Sequence, residues 1–279
     1  MTIIETVPAL AKIEFTSFVF SGGEVQVRIT NPISVADAGA LRITANLTDS
    51  NKIMELAMLV DAIRRINSTI KLNLVCPYFP AARQDRVCAD GEALAVKVMA
   101  DFINGLNFEN VEVADCHSDV GLALINHVYN VGPEHFLESV LDNGKASNYV
   151  LVSPDAGAMK KVAKVAKKYN CPMLVGGKNR NPITGEITGS YVNYDPVVVG
   201  DRKLLIVDDI CAGGRTFVEL AKAIKLVRTR NNKIELYVTH GTFEKGIDII
   251  VDAGISTIYV ANPFPSVDLT NPYLTVVRK

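Results

Sequence analysis

The chain has 279 residues, enough for one large domain or two modest ones with a substantial core. Its 29 basic and 30 acidic side chains leave a net charge of −1, which calls for neither nucleic acid nor an anionic membrane as a partner. Apolar residues make up 48%, no low-complexity block interrupts them, and no run approaches the ~20 apolar residues of a membrane span, which speaks against disorder and against a membrane-spanning helix.

The N-terminal stretch MTIIETVPAL has no basic start and no long apolar core, so no signal peptide is expected. Asp49 or Ser50 can cap a helix in which Ile53, Leu56, Ala57, Val60 and Ile63 share one face. A strand-length apolar run follows at 72–76, then a helical pattern at 91–106 and a second run at 111–114. The polar, glycine-bearing DNGKAS at 142–147 suggests a boundary near residue 140, with α/β domains at 1–140 and 141–279. The second half repeats the alternation. It has runs at 149–152, 173–175, 204–207, 234–239 and 257–260, with helical patterns at 158–169 and after Thr216, where Phe217, Leu220, Ala221, Ile224 and Val227 are in helical spacing. The segment NRNPITGEITGS, 179–190, reads as a flexible loop. Runs without clean alternation imply strands covered on both faces, hence an α/β fold with mostly parallel sheets flanked by helices.

The five cysteines, Cys76, Cys88, Cys116, Cys171 and Cys211, are odd in number and form no C-x-x-C pair. They read as reduced, small buried hydrophobes of a cytoplasmic protein, with no zinc site.

The most informative stretch is LLIVDDICAGGRTF, 204–217. An apolar strand ends on Asp208 and Asp209, a small-residue turn follows, and Thr216 is placed to cap the next helix. Strand, turn and helix N-terminus together offer backbone N–H groups and a positive dipole end to an anion. The paired carboxylates suit vicinal sugar hydroxyls or hydrated Mg²⁺. A tight strand–helix turn with a capping Asp is the plainer alternative.

Five segments carry a family resemblance. LLIVDDICAGGRT resembles the phosphoribosyl diphosphate motif of the type I phosphoribosyltransferase superfamily. PYFPAARQDR (77–86) resembles P-Y-x-x-x-A-R-Q-D, VSPDAGAMKKV (152–162) the S-P-D-x-G segment, VTHGTF (238–243) the T-H-G stretch and FSGGEVQVRI (20–29) the F-S-x-x-E-x-x-V-x-I segment of ribose-phosphate pyrophosphokinases. They stand in family order from residue 20 to about 265. The resemblance implies two phosphoribosyltransferase-like domains. It also implies transfer of the β,γ-diphosphate of ATP to the 1-hydroxyl of ribose 5-phosphate, with Mg²⁺ as cofactor, in a homo-oligomer, dimer or hexamer.

It also implies roles for single residues. Arg83 and Gln84 would hold ATP rather than be solvated loop groups. Phe20 and Glu24 would receive adenine in a neighbouring subunit's site, the alternative for Phe20 being the core. His117 and Asp155 would hold the metal. For His117 this rests on the resemblance, since imidazole is not a favoured Mg²⁺ ligand; Asp155 has the alternative of a turn former. Lys178 and Arg180 would stabilise the transferring diphosphate, against ordinary exposed loop charges. Asp208, Asp209, Gly213, Gly214, Arg215 and Thr216 would hold the ribose phosphate. His127, His135 and His240 receive no catalytic role.

The acceptor loop of the family usually reads D-D-x-x-D-T-x-G-T. Here Ala212 and Gly213 replace the third aspartate and the threonine, and Arg215 stands where glycine is expected. A larger 5-substituted ribose such as ADP-ribose is therefore an alternative acceptor. A non-catalytic regulatory member and a transferase consuming phosphoribosyl diphosphate are further alternatives. The retained A-R-Q-D segment and K-x-R loop speak against the consumer, and the presence of Lys178, Arg180, His117, Asp155 and the Asp208–Asp209 pair speaks against the regulatory member. The N-terminus also lacks the family's early glycine/serine segment, and the chain stops near where many relatives add a last helix.

Overall fold

The computed structural model describes every residue except Met1, Ala9, Leu10, Asn143, 181–186 and Lys279, with the side chains of Asn179, Arg180, Ile187 and Thr188 also outside the description. The chain forms two compact units, Met1–Val131 and Gly132–Lys279. The division falls ahead of residue 140. The residues after Gly132 belong to the second unit because Leu137, Val140 and Leu141 enter its core beside Val162 and Val165.

The first unit contains β1 (Ile3–Val7), β2 (Lys12–Ile13), β3 (Phe15–Val19), β4 (Val25–Ile29), α1 (Pro32–Ala36), β5 (Ala40–Thr44), α2 (Ser50–Ile66), β6 (Lys71–Cys76), α3 (Ala95–Gly105), β7 (Asn110–Ala114), α4 (Asp119–Leu124) and β8 (Val128–Val131). Its main sheet has the order β2-β1-β5-β6-β7-β8, with β5 to β8 parallel and β1 antiparallel to both neighbours. β3 and β4 form a separate antiparallel hairpin. α2 begins where expected: the Asp49 side chain accepts the Lys52 N–H at 3.0 Å, and Leu56, Leu59, Val60 and Ile63 are buried. α3 starts later than the pattern at 91–106 suggests. Gly91 has φ +89°, and the Glu92 carboxylate accepts the Cys88 and Ala89 N–H groups, so this segment closes a turn before the helix.

The second unit contains α5 (Pro133–Phe136), α6 (Glu138–Leu141), β9 (Tyr149–Ser153), α7 (Ala156–Tyr169), β10 (Met173–Arg180), β11 (Ile187–Val192), α8 (Pro196–Val199), β12 (Lys203–Cys211), α9 (Arg215–Val227), β13 (Ile234–Gly241), α10 (Asp248–Asp252), β14 (Ile255–Pro263) and β15 (Leu274–Val276). The sheet order is β11-β10-β9-β12-β13-β14-β15, and only the β10–β11 pair is antiparallel. β9 and β13 are buried along their whole length, as strands covered on both faces must be. Alternation along β12 splits the core: Leu204 and Ile206 pack with Phe217, Leu220 and Ile224 of α9, whereas Leu205 and Val207 pack with Val162 and Val165 of α7.

Four cysteines are buried, Cys88 is exposed and all five are free thiols. No helix among the described residues is long and apolar enough to cross a membrane.

The α7 side of this sheet buries one charged network. Glu235, 2% exposed, accepts the Tyr149 hydroxyl at 2.9 Å and the Tyr259 hydroxyl at 3.1 Å, and pairs with the Lys203 ammonium at 2.8 Å. Burial, together with the Glu235 charge, pushes the Tyr149 hydroxyl up to about 12; both tyrosines donate to the carboxylate, and the Tyr149 oxygen also accepts the Lys203 ammonium at 3.4 Å. Replacing Glu235 with Ala leaves one ammonium and two buried hydroxyls without their acceptor. This should cost about 2 kcal/mol of stability, read as a lower urea midpoint at unchanged m-value.

Candidate active site

Apart from Phe20 and Glu24, the residues singled out from sequence lie, in each unit, at the C-terminal ends of parallel strands, where loops and helix N-termini meet. In the first unit, the segment after β6 is anchored by Phe79 and Ala82, 2% and 3% exposed. Ala81 adopts φ +59° and its carbonyl accepts the Gln84 N–H at 2.9 Å, while the Gln84 carbonyl accepts the Val96 N–H in the first turn of α3. This tether leaves the Arg83 and Gln84 side chains exposed.

β7 lies beside β6, and its end is turned by Asp115. This residue is buried and has φ +43°, a left-handed conformation that costs a non-glycine residue free energy. Its N–H donates to the Val131 carbonyl at 2.8 Å. The turn sends Cys116 inward and His117 outward, so His117 stands exposed on the same sheet edge as the 83–84 segment. Phe20 and Glu24 lie on a different sheet, flanking the turn between β3 and β4, where the Phe20 N–H donates to the Glu24 carbonyl. Phe20 is 52% exposed and is not a core residue. Its ring meets the Phe18 ring edge to face at 4.8 Å.

In the second unit, Asp155 follows β9 and does two things. Its Oδ1 accepts the Gly157 and Ala158 N–H groups, capping α7, and its Oδ2 accepts the Lys178 ammonium at 2.6 Å. Burial alone would raise the Asp155 carboxyl, but Lys178 and the two N–H groups hold it below its ordinary value. Lys178 is only 18% exposed.

The expected loop from 179 is in part a hairpin. Lys178 pairs with Ser190 and Arg180 with Ile187, so both cations sit at the end of β10; the Arg180 side chain and residues 181–186 lie outside the described residues. A glycine ahead of that stretch also serves the pairing. Gly177 lies opposite Tyr191, and a Cβ there would come within 2.4 Å of the Tyr191 ring.

Asp208 and Asp209 do not end their strand. β12 continues to Cys211 because β13 pairs with it as far as Gly241. Adjacent side chains therefore diverge: Asp209, 6% exposed, points towards α7, where Lys161 Nζ lies 4.0 Å from its Oδ2, while Asp208 keeps some solvent contact. Burial, then Asp209, then the more distant Asp155 push the Asp208 carboxyl well above the ordinary range.

The loop after β12 is held by the segment after β13. The Cys211 carbonyl accepts the Thr242 and Phe243 N–H groups and the Thr242 hydroxyl, and the Ala212 carbonyl accepts the Glu244 N–H. Gly214, at φ +72° and with Ile250 3.2 Å from any added Cβ, is the residue before α9. Thr216 therefore sits inside the helix rather than at its cap. The N–H groups of Arg215 and Thr216 have no acceptor within the helix and, with the dipole, suit an anion. Arg215 is exposed beside them. His240 is 3% exposed, with its Nδ1 3.1 Å from Asn262 Nδ2.

No group of three or more His, Cys, Asp or Glu side chains among the described residues forms a metal cage. Mg²⁺ does not need one, since it is held through one or two carboxylates plus substrate phosphates. Asp155 fits that use where Lys178 yields its oxygen. Sequence reading missed Lys161 and the hold that Thr242, Phe243 and Glu244 have on the loop after β12; the signal for Lys161 was its place three residues after Ala158 and four before Val165, within the apolar stripe of α7.

The ion pair gives a prediction with a definite sign. Replacing Lys178 with Met should move the Asp155 carboxyl upward, seen in a carbon-13 NMR titration of its side chain. The depressed value contributes stability that is present above the ordinary carboxylate pKa and lost as pH falls through the folded one. The variant's unfolding free energy should therefore fall less steeply on the acid side than the parent's.

Comparison with known proteins comes to the same place. The model of the N-terminal domain of ribose phosphate pyrophosphokinase matches residues 6–106. A ribose-phosphate pyrophosphokinase of Shewanella oneidensis is 32% identical over 250 residues, covering 88% of this chain and 77% of that protein. One of Thermococcus kodakarensis is 30% identical over 255 residues, covering 88% and 84%. Among solved structures, the phosphoribosylpyrophosphate synthetase of Mycobacterium smegmatis shares the fold at a TM-score of 0.78 and 20% identity, over 97% of this chain and 87% of that one.

Proposed function

The chain belongs to the ribose-phosphate pyrophosphokinase family, and from that premise we propose that it is an ATP-dependent ribose-phosphate diphosphokinase. It transfers the β,γ-diphosphate of ATP to the 1-hydroxyl of ribose 5-phosphate, giving phosphoribosyl diphosphate and AMP. The observation that carries this is the grouping of Asp155, Lys178, the Asp208–Asp209 pair and the open N-terminus of α9 around the C-terminal ends of β9, β10 and β12.

The chemistry divides among these groups. Asp208 and Asp209 accept hydrogen bonds from the ribose hydroxyls, which fixes the sugar. The amides at Gly213, Gly214, Arg215 and Thr216 take the 5-phosphate. Lys178, joined by Arg180, leaves Asp155 and meets the negative charge of the diphosphate as it moves. Arg83 and Gln84 hold ATP, the guanidinium by phosphate pairing or by stacking on the purine. Within the first unit His117, and within the second unit Asp155, are the residues that would hold Mg²⁺, which would supply positive charge to offset that of the phosphates.

The exposed hairpin apex of Phe18, Val19 and Phe20, 46%, 49% and 52% exposed, supports a homo-oligomer, dimer or hexamer, in which Phe20 and Glu24 serve a neighbouring copy's adenine. The free cysteines suit a reducing cytoplasm.

AMP release from ATP and Mg²⁺ should depend on ribose 5-phosphate. Replacing Lys178 with Ala should lower kcat by about 10²–10³ while ATP affinity changes little, since the contact is made to charge in transfer. A collapse of ATP affinity with turnover per bound complex intact would reject that role.

One observation favours a second reading of the acceptor. Gly213 leaves its wall open, the Lys245 side chain runs 3.7 Å from where a Cβ would stand, and Arg215 is exposed on the same loop. A 5-substituted ribose carrying a second phosphate, such as ADP-ribose, would use these cations. Comparing kcat/KM for ADP-ribose and ribose 5-phosphate tests this; a strong preference for ribose 5-phosphate rejects it.

A further inference from the structure

α7 carries five lysines, and four of them, Lys160, Lys164, Lys167 and Lys168, are exposed. Lys161 is different. It shares a helix face with Ala158, Val162 and Val165, all buried against the sheet, and its side chain is 22% exposed. A lysine on the sheet-facing side loses hydration and packing, so its place calls for a partner. That partner is Asp209, whose side chain is 8% exposed, with Nζ and Oδ2 4.0 Å apart. The alternation of β12 makes the meeting possible. Leu205 and Val207 face α7, and Asp209 continues that alternation, so it is the second aspartate of the pair that lies on the α7 side.

The pair is tied internally as well. The Asp209 N–H donates to Asp208 Oδ1 at 3.0 Å, so the placement of Asp209 and that of the Asp208 carboxylate are linked. We propose that Lys161 is a positioning residue of the acceptor site, holding Asp209 in place so that the two carboxylates present one geometry to the sugar hydroxyls. This rests on the reading in which the pair holds the acceptor. Lys161 touches neither substrate; it acts through Asp209. It also compensates a charge that would otherwise stand among three crowded carboxylates, Asp155, Asp208 and Asp209.

The test is a double-mutant cycle on the full chain, read by AMP release at varied ribose 5-phosphate. Lys161→Met should raise the acceptor KM by about tenfold with kcat and the ATP KM within about twofold, and Lys161→Arg should recover most of the loss. In an Asp209→Asn background, Lys161→Met should add less than about twofold. Effects of the two substitutions that multiply independently, or failure of Lys161→Arg to rescue, would overturn the proposal while leaving the acceptor role of Asp209 standing. An Asp209→Asn variant with an unchanged acceptor KM would remove that role and the proposal together. Lys161→Gln, checked by circular dichroism and thermal melting, keeps the cycle readable should Lys161→Met fail to fold; a Gln variant with the parent's acceptor KM would also overturn the proposal.

Discussion

Three carboxylates that cannot all be charged at no cost lie at one end of the second unit's sheet. Asp155 follows β9, Asp208 and Asp209 lie in β12, and the field of the other two helps drive the Asp208 carboxyl upward. Each carboxylate has a separate compensation. Asp155 takes the N-terminus of α7 and the Lys178 ammonium, Asp209 faces Lys161, and Asp208 accepts a backbone N–H. Acidic groups held in this state are poised to exchange an internal partner for a substrate hydroxyl or a cation.

The remaining architecture serves that arrangement. Parallel strands bring several chain ends to one edge, and helices leaving that edge point their positive ends back at it. β13 extends β12 beyond its apolar run, so the aspartates are set on a strand rather than on a free loop. The Thr242, Phe243 and Glu244 amides then take up the carbonyls of Cys211 and Ala212. Those two carbonyls are thereby taken up inside the fold, while the N–H groups of the first turn of α9 remain without intrahelical acceptors.

Much of this is legible in the sequence wherever apolar runs carry the information. The runs at 149–152, 204–207 and 234–239 became β9, β12 and β13, and the fold class followed from their lack of alternation. Reading failed where pairing or charge overrode composition. Asp208 and Asp209 look like a strand's end because carboxylates seldom lie in a buried sheet, yet pairing with β13 carries the strand three residues past Asp208. The segment from 179 reads as a flexible loop, but its start pairs with β11, and the two glycines before it lie close to the Tyr191 ring and the Ser153 carbonyl. Thr216 looks like a cap, but Gly214 at positive φ takes that position. For the site, residue types were readable and their mutual contacts were not, because Lys178–Asp155 and Lys161–Asp209 join segments 23 and 48 positions apart in the numbering.

Lys178 shows why such contacts matter for function. An isolated ammonium at the end of β10 would be a fully hydrated charge, and meeting a diphosphate would first require stripping that water. Paired with Asp155 and 18% exposed, it is already largely dehydrated and held in one place. On the proposed function, the cost of leaving Asp155 would be offset by a ligand that supplies both an anion for the lysine and a cation for the carboxylate, as a magnesium-bound diphosphate would. Neither an anion nor a cation alone replaces both halves of the pair. The ion pair thus favours the complete ligand over either of its parts, and does so with groups whose positions were set when β9 and β10 paired in register.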